Sequence, residues 1–390
     1  MERAVTEQPS DSFSLLQFCL TLNTQNEKAL IEACQNRHNW DIFLAQVEWH
    51  RIAPTLQKRT KHIKNLFPKH VERRIDTLVK NYKLKTQKHI LELKYIDTLF
   101  KKESISYIVL KGPVLSQKLY NDPYQRTSKD LDILIEIKNI ERVTDLLEDL
   151  GYSRTYPSKS SSQQLIKEAL SRGKDFIFFH PIKQTEIELH WHWHLNPHLF
   201  PLDPIQALNH REDVFFDNAC IPSLAKQYEF LYLLTHGARS HWARLSWLSD
   251  IHGYLETHSV DWSITLKLVE QYDLWPTFIN SLYLCQRYFN LKIPEIEAST
   301  NKHRNKHLIQ VWQHHQRLIS KPLPPKNYLI EYFICTNSAY RKVCLLRTFG
   351  PRLNDMATLP LPKKLHSLYF FLRPFLYIWR HVITQKPIRI

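Results

Sequence analysis

The chain has 390 residues and a net charge of +15, with 43% hydrophobic and 23% charged residues. This is the composition of a globular protein, and it excludes disordered, collagen-like and low-complexity chains. Only six glycines occur, and the glycine-rich phosphate motifs of P-loop and dinucleotide-binding proteins are absent. So few glycines also favour helices over a turn-rich all-β fold.

The cysteines and the apolar segments indicate the compartment. Six cysteines are scattered singly with no Cys-x-x-Cys pair, which is typical of reduced residues rather than a disulfide framework. The first residues are polar and acidic, so we expect no signal peptide. No apolar run approaches the roughly 18 residues that a membrane span needs. The sequence therefore predicts a cytoplasmic protein without stable membrane insertion.

The positive charge is concentrated in two stretches. Residues 51–102 carry fifteen basic and four acidic residues, net +11, and residues 341–390 carry ten basic and one acidic, net +9. Lysines on the solvent faces of long helices explain such stretches. Contact with a polyanion, such as nucleic acid, a nucleotide or an acidic lipid, explains them equally well. For residues 51–102 both interpretations stand.

Helical spacing of apolar residues dominates the first hundred positions. It predicts helices over 26–50 and 70–102. In the second of these, the expected buried face comprises Leu84, Leu91, Tyr95, Ile96, Leu99 and Phe100.

Strand patterns then appear in the middle of the chain. They lie at 105–110, 130–136, 174–180 and 185–191, with the last two forming a hairpin. Gly112 opens a short helix between the first two, and helical patterns return after about residue 205. The predicted fold class is α+β, a small mixed sheet with helices flanked by helical N- and C-terminal regions. The expected divisions are 1–76, 77–205 and 206–390, the last with a basic aromatic tail.

Paired carboxylates mark two of these strands. Asp130 and Asp132 share one strand face, and Glu186 and Glu188 repeat the arrangement on a second strand. Crowded carboxylates favour a hard divalent cation, Mg²⁺ or Mn²⁺, and suit two-metal phosphoryl transfer. The alternative is a row of solvated acids on an amphipathic sheet. Because like charges repel, replacing either aspartate by asparagine should not destabilise the metal-free fold.

The segment YIVLKGPVLSQKLYNDPYQRTSKDLDILIE resembles the signature of a bacterial nucleotidyltransferase family in the polymerase-beta-like superfamily. In that signature, a glycine that opens a helix is followed by an aspartate pair on the next strand. The matching positions are Lys111, Gly112, Tyr120, Arg126, Ser128, Asp130 and Asp132. EIELHW is similar to the family's third-carboxylate strand, which favours Glu188 over Glu186 as the third acid. The resemblance continues through 233–251 and 360–374.

The resemblance implies a polymerase-beta-like core and Mg²⁺-dependent transfer of a nucleoside monophosphate from an NTP, with ATP expected, to a hydroxyl of an unknown acceptor. A small molecule, a protein side chain and an RNA end remain open as acceptors. Asp130, Asp132 and Glu188 would be the catalytic and metal-binding residues, and Glu188 would also help deprotonate the acceptor. The expected nucleotide-binding residues are Lys111, Gly112, Arg126, Ser128 and His236. Pro113 removes an N–H that superfamily members use for phosphates, so a catalytically silent nucleotide- or nucleic-acid-binding protein on the same fold is the alternative.

Histidines suggest two further interpretations. His190, His192 and His194 have a spacing that can chelate zinc, while His190 alone could orient Glu188. A second group is expected on one long helix, either contacting the nucleotide or supporting the core: His236, His241, Arg244 and Asp250.

The segment 368–383 is strongly aromatic and contains arginines. It could lie on a membrane interface. A docked C-terminal helix is favoured, because Pro374 interrupts the amphipathic pattern and the family resemblance reaches this segment.

Overall fold

The computed structural model describes residues 11–36, 38–257, 260–291, 308–319, 337–349 and 352–380. Within these ranges a seven-stranded mixed sheet is surrounded by helices. The predicted α+β class, with a mixed sheet between helical N- and C-terminal regions, is confirmed.

The sheet has the strand order β3-β4-β5-β2-β1-β7-β6. Its strands are β1 Tyr107–Val109, β2 Leu131–Ile135, β3 Ser153–Tyr156, β4 Asp175–His180, β5 Thr185–His190, β6 Arg211–Phe216 and β7 Ala219–Leu224. β2 runs parallel to β5 and β1 parallel to β7, while every other pair is antiparallel. The predicted hairpin of β4 and β5 is confirmed.

A second hairpin corrects the helical pattern expected after residue 205. β6 and β7 pair antiparallel, with Phe216 opposite Ala219. The two turn residues, Asp217 and Asn218, have φ of 50° and 59°, as a type I′ hairpin turn requires. The sheet therefore continues to residue 224, beyond the expected end of the core at 205.

Three helices connect the strands of the first part of the sheet. They are α6 Gly112–Tyr120, α7 Ile140–Asp149 and α8 Gln163–Arg172. α7 presents a strongly apolar stripe to the sheet, with Ile140, Val143 and Leu147 buried, as the 3.6-residue period dictates. Of these helices α6 connects β1 to β2, which lie side by side and antiparallel.

Five helices precede the sheet. They are α1 Ser12–Leu20, α2 Glu27–Gln35, α3 Trp40–His50, α4 Ala53–Thr60 and α5 Lys69–Lys102. The stretch 26–50 is thus two helices rather than one. In α5 the predicted burial is confirmed for Ile96 and Phe100, but it is wrong for Leu84, Leu91 and Tyr95, which are 51%, 66% and 53% exposed. The buried stripe instead passes through residues such as Ile90 and Leu93.

The apolar interior divides into two clusters, and α5 contributes to both. Val71 and Ile75, near its start, pack with the N- and C-terminal helices. Ile96 and Phe100, near its end, pack under the sheet with Ile133. A single helix therefore joins the helical region to the sheet.

The remaining described helices follow β5. They are α9 Pro204–Asn209, α10 Lys226–Arg239, α11 Leu245–Thr257, α12 Trp262–Gln271, α13 Trp275–Phe289, α14 Leu308–Ile319, α15 Ser338–Phe349, α16 Leu353–Thr358 and α17 Tyr369–Ile378. The expected single helix carrying His236 and Asp250 is two helices. His241 and Trp242 both have positive φ, a conformation that a helix interior does not contain.

The aromatic tail is held at two points. Tyr369 is buried and donates a hydrogen bond to the Leu359 carbonyl at 2.6 Å, and Arg380 pairs with the buried Asp355 at 2.6 Å. Other large side chains of α17, including Phe371 and Phe375, are exposed. The end of the predicted segment, 381–383, lies outside the described residues. No described helix has both the length and the apolar character needed to cross a bilayer.

Candidate active site

Acidic residues from two neighbouring strands meet at one end of the parallel β2–β5 pair. Asp132 lies directly opposite Glu188 in the β2–β5 register, and Asp130 immediately precedes β2. Carboxylate oxygens of Asp130, Glu186 and Glu188 lie within 4.8 Å of one another. Ligand atoms of Asp132, Glu188 and His190 form a second such group. We call Asp130, Asp132, Glu186 and Glu188 the carboxylate cluster.

The turn between β1 and α6 lies beside this cluster. The Leu110 N–H donates to the Asp132 carbonyl at 3.0 Å. The chain therefore runs beside β2 until shortly before Gly112. Gly112 has φ of +70°, a region that favours glycine. Pro113 occupies the first turn of α6, where a missing N–H costs no helical hydrogen bond. Ser128 donates its hydroxyl hydrogen bond to the Asp130 carbonyl at 2.5 Å, so it shapes the start of β2.

Lys111 is bound to a carboxylate of the cluster. Its Nζ lies 3.1 Å from Asp132 Oδ2, and both side chains are almost fully buried. Burial opposes the ammonium charge, but Asp132 together with Tyr232, Asp130 and Glu188 outweighs it and raises the pKa of Lys111. Lys111 therefore balances the charge of Asp132.

A histidine and a lysine also lie close to Glu188. His190 Nε2 is 3.1 Å from Asp132 Oδ1 and 3.4 Å from Glu188 Oε2. Lys174 Nζ lies 3.4 Å from Glu188 Oε2 and also pairs with Asp175. Burial lowers the pKa of Lys174 to about 8. His190 therefore bridges the two strands through both acids.

The pKa values of the three predicted catalytic acids differ for physical reasons. Burial, Asp132 and Glu188 raise the pKa of Asp130 to about 6. Burial opposes ionisation of Asp132, but Lys111 and His190 keep its pKa well below the usual range. Burial opposes ionisation of Glu188, but the hydrogen bond from His190 and the charges of Lys174 and His190 together lower its pKa to about 2. Among the described residues, Asp130 is thus the acid of the three that forms no salt bridge.

Arg126 lies near the site without pointing a free guanidinium into it. Its Nε donates to both carboxylate oxygens of Asp250, at 2.9 and 3.0 Å, and both residues are buried. The Arg126 N–H also donates to Ser116 Oγ at 2.9 Å. This ion pair ties the loop before β2 to α11, as the core-supporting interpretation of Asp250 predicted.

His236 faces the site from α10. Burial and the charge of Lys111 lower its pKa well below the usual range for histidine. Its ring contacts Trp247 edge-on, with centroids 5.8 Å apart. A neutral imidazole on the wall of the site can contact a base or ribose.

The three-histidine zinc arrangement does not form in the described chain. β5 ends at His190, His192 is exposed, and buried His194 has Nε2 3.3 Å from Thr235 Oγ1. Neither ligand group found among the described residues includes His192 or His194. The alternative role for His190, beside Glu188, matches its position.

Some charged residues near the site had no sequence signal. Lys174 precedes a strand and looks like any lysine at a strand end. Arg51 and Lys85 were part of the basic stretch 51–102, but their neighbours in space are set by helix packing. Burial lowers the pKa of each, and the charge of Asp130 opposes this effect.

Comparison with protein-family models gives one match, to the family described as uncharacterised nucleotidyltransferase, over residues 36–290. The match covers more than half of the chain, and the chain belongs to this nucleotidyltransferase family. The sequence-derived resemblance to a nucleotidyltransferase family is therefore confirmed. No curated protein sequence matches the chain. Family membership supports nucleotidyl transfer as the general reaction and an NTP as substrate, and the carboxylate cluster lies within the matched range.

Proposed function

We propose that this protein transfers a nucleoside monophosphate from an NTP, with ATP as the expected donor, to a hydroxyl of an acceptor and releases pyrophosphate. The observation that carries the proposal is the β2–β5 register, which sets Asp132 opposite Glu188 with Asp130 adjacent. A polymerase-beta-like active centre is part of this proposal. The acceptor stays open among small molecules, proteins and RNA.

The residues present fit a divalent cation. The carboxylate cluster offers oxygen ligands, which Mg²⁺ and Mn²⁺ prefer, and burial together with Asp132 and Glu188 raises the pKa of Asp130. Asp130, Asp132 and Glu188 would hold the ion. When bound, it supplies charge neutralisation and polarises the phosphoryl oxygens.

The chain's own residues account for the proton and the orientation. The acceptor oxygen forms a bond to the α-phosphorus, the bond from that phosphorus to the bridging oxygen breaks, and pyrophosphate leaves. The hydroxyl proton passes to an Asp130 carboxylate oxygen, because Asp130 is the acid of the three that forms no salt bridge among the described residues. Glu188, with a pKa of about 2, is the weaker base and acts as a ligand. The sequence analysis gave Glu188 both roles, metal ligand and proton acceptor, whereas here Asp130 accepts the proton.

The nucleotide-binding residues act from the wall around the cluster. The glycine turn at Gly112 lets the backbone approach a phosphate closely, and Ser128 fixes the strand beside it. His236 faces the base or ribose. Arg126 acts by positioning, since its guanidinium is bound to Asp250. Lys111 can release Asp132 to a cation and turn to phosphate oxygens.

The bond between Lys111 and Asp132 also favours a second candidate function. A cluster that is neutralised by the chain's own lysine suits a protein that binds a nucleotide or nucleic acid without turnover. The presence of Pro113 suggested the same alternative. The two functions differ in one observable, the appearance of labelled nucleotide on an acceptor.

The test incubates the protein with α-labelled NTPs and acceptor mixtures, with Mg²⁺ or with chelator. We expect label on an acceptor only with the cation, and a loss of about 100- to 1000-fold in Asp130→Asn and Glu188→Gln. Glu186→Gln is the matched control on the same strand face. Glu186 pairs with exposed Lys129 at 2.5 Å, so its loss should change transfer by only about twofold to threefold, as for an exposed ion pair.

Full transfer by Asp130→Asn would refute the proposed function. Tight nucleotide binding by the unmodified protein, with no transfer under any condition, would establish the second candidate instead.

A further inference from the structure

Three basic residues from separate elements lie close enough to Asp130 to interact with its charge. Arg51 ends α3, Lys85 lies on α5, and Arg244 lies in the connection between α10 and α11. All three are half-buried, and each interacts electrostatically with Asp130. We call Arg51, Lys85 and Arg244 the cationic cluster.

Asp130 is the acid that acts on all three members of the cationic cluster, but it forms a salt bridge with none of them. Within the part of the chain that the structure describes, none of its members forms a salt bridge, whereas Lys111, Lys174 and other buried cations nearby do. Burial lowers the pKa of Lys85, and neighbouring Arg51 adds to the effect. Burial and Arg51 also lower the pKa of Arg244. Crowded, partly desolvated cations are costly unless an anion joins them.

Aromatic contacts hold Arg244 in place. Its guanidinium carbon lies 4.8 Å from the ring centroid of Trp49 and 5.7 Å from that of Trp247. Such contacts use the guanidinium face, which leaves N–H groups at its edge for a bidentate acceptor such as phosphate. Because Trp247 also contacts His236, the cluster is continuous with the proposed nucleotide wall.

Two hydrogen bonds connect the segments that carry the cluster, one to the loop before Asp130 and one to each other. Thr127 donates its hydroxyl hydrogen bond to the Arg51 carbonyl at 3.2 Å, three residues before Asp130. The Leu245 N–H donates to His50 Nδ1 at 3.3 Å, which joins the end of α3 to the α10–α11 connection. The N-terminal helices thus belong to the wall of the active site.

We infer that the cationic cluster binds the polyphosphate tail of the nucleotide donor, its β- and γ-phosphates. This inference rests on the proposed function, because it assigns the triphosphate of that reaction. It also explains how phosphates are bound when Lys111 is directed to Asp132. The basic stretch 51–102 then contributes to the nucleotide site through Arg51 and Lys85. Binding of a phosphorylated acceptor is the other source of the same phosphate chemistry.

The test is isothermal titration calorimetry of the full chain with inorganic tripolyphosphate, ATP, ADP and AMP, in chelator so that the metal ligands do not contribute. We expect tripolyphosphate and ATP to bind more tightly than ADP, and AMP to bind weakly. Arg51→Gln, Lys85→Gln and Arg244→Gln should each weaken ATP and tripolyphosphate binding about 10-fold, the equivalent of one charge-assisted hydrogen bond. Tripolyphosphate should compete with ATP.

Lys83→Gln is the matched control, because Lys83 is exposed on the same helix and a spacing of two residues places it on another face. It should leave all affinities unchanged. If Arg244→Gln unfolds because it loses its tryptophan contacts, Lys85→Gln carries the test.

Three outcomes decide the inference. Unchanged tripolyphosphate and ATP binding in the variants would overturn it. Tripolyphosphate binding that ATP does not displace would also overturn it, and would assign the cluster to a phosphorylated acceptor. Weakened tripolyphosphate binding in the variants, in a protein that shows no transfer, would support the cluster and refute only the proposed reaction.

Discussion

The two charged walls of the site are built in opposite ways. On the sheet side, buried Lys111 and Lys174 lie within 3.4 Å of the acids Asp132 and Glu188. On the helical side, the cationic cluster has no acid at salt-bridge distance among the described residues. Removing one partner of a buried ion pair leaves an uncompensated charge and destabilises the fold, whereas a partly buried cation with no acid at salt-bridge distance can bind an anionic ligand. The same residue type therefore has opposite roles a short distance apart.

Asp132→Asn should give the largest effect on the stability of the paired wall. The substitution leaves the buried ammonium of Lys111 without its carboxylate, so the free energy of unfolding of the metal-free protein should fall by about 3 to 5 kcal/mol. Chemical denaturation measures this. The double variant Asp132→Asn/Lys111→Met is the control and should recover part of the loss. The sequence-based expectation that this change is harmless would hold only if the single variant were as stable as the original.

Asp130→Asn should act in the opposite direction and depend on pH. The pKa of Asp130 is raised from 3.8 to about 6, so between about pH 4 and 6 the folded protein holds a proton that the unfolded chain has lost. The free energy of unfolding therefore falls as pH rises through this window. At pH 7 this costs the metal-free protein about 1 to 3 kcal/mol. The asparagine variant should be more stable by that amount at pH 7, with the advantage vanishing near pH 4.

Melting temperatures at successive pH values measure this difference. Asp145→Asn, at an exposed position on α7, is the control and should follow the original protein throughout. An advantage of Asp130→Asn that does not change between pH 4 and 7 would contradict the raised pKa.

Lys85→Gln should have the smallest effect on stability and separates the two walls most directly. It removes one of several crowded like charges and breaks no salt bridge, so the free energy of unfolding should change by less than about 1 kcal/mol or rise slightly. Lys111→Met, measured beside it by denaturation, should instead lose several kcal/mol. Similar losses in both variants would show that the walls do not differ.

The sequence predicted the parts of the site that depend on local pattern. Alternation along DLDILIE and TEIELH placed Asp132 and Glu188 on strands, and the Lys-Gly turn located α6. It did not distinguish the two aspartates, because Lys111 reaches Asp132 from the turn between β1 and α6 and His190 reaches it from β5, contacts that depend on how the strands pair.

Other features depended on packing that no local pattern contains. α5 has apolar residues on more than one face, and the sequence alone could not show that Ile90 and Leu93, rather than Leu84 and Leu91, are buried. The β6–β7 hairpin did have a signal, the turn residues Asp217 and Asn218, but its charged strand REDVFF masks the alternation. The cationic cluster had none, since its members come from three distant segments.

Continuity of α5 has a consequence for how the molecule unfolds. At 34 residues and a rise of 1.5 Å each, the helix is about 51 Å long, and its two halves pack in different apolar clusters. The expected division at residues 76 and 77 falls inside it, so cutting the chain there would divide a helix and expose both clusters. Because one continuous helix packs in both apolar clusters, we expect the helical region and the sheet to unfold together.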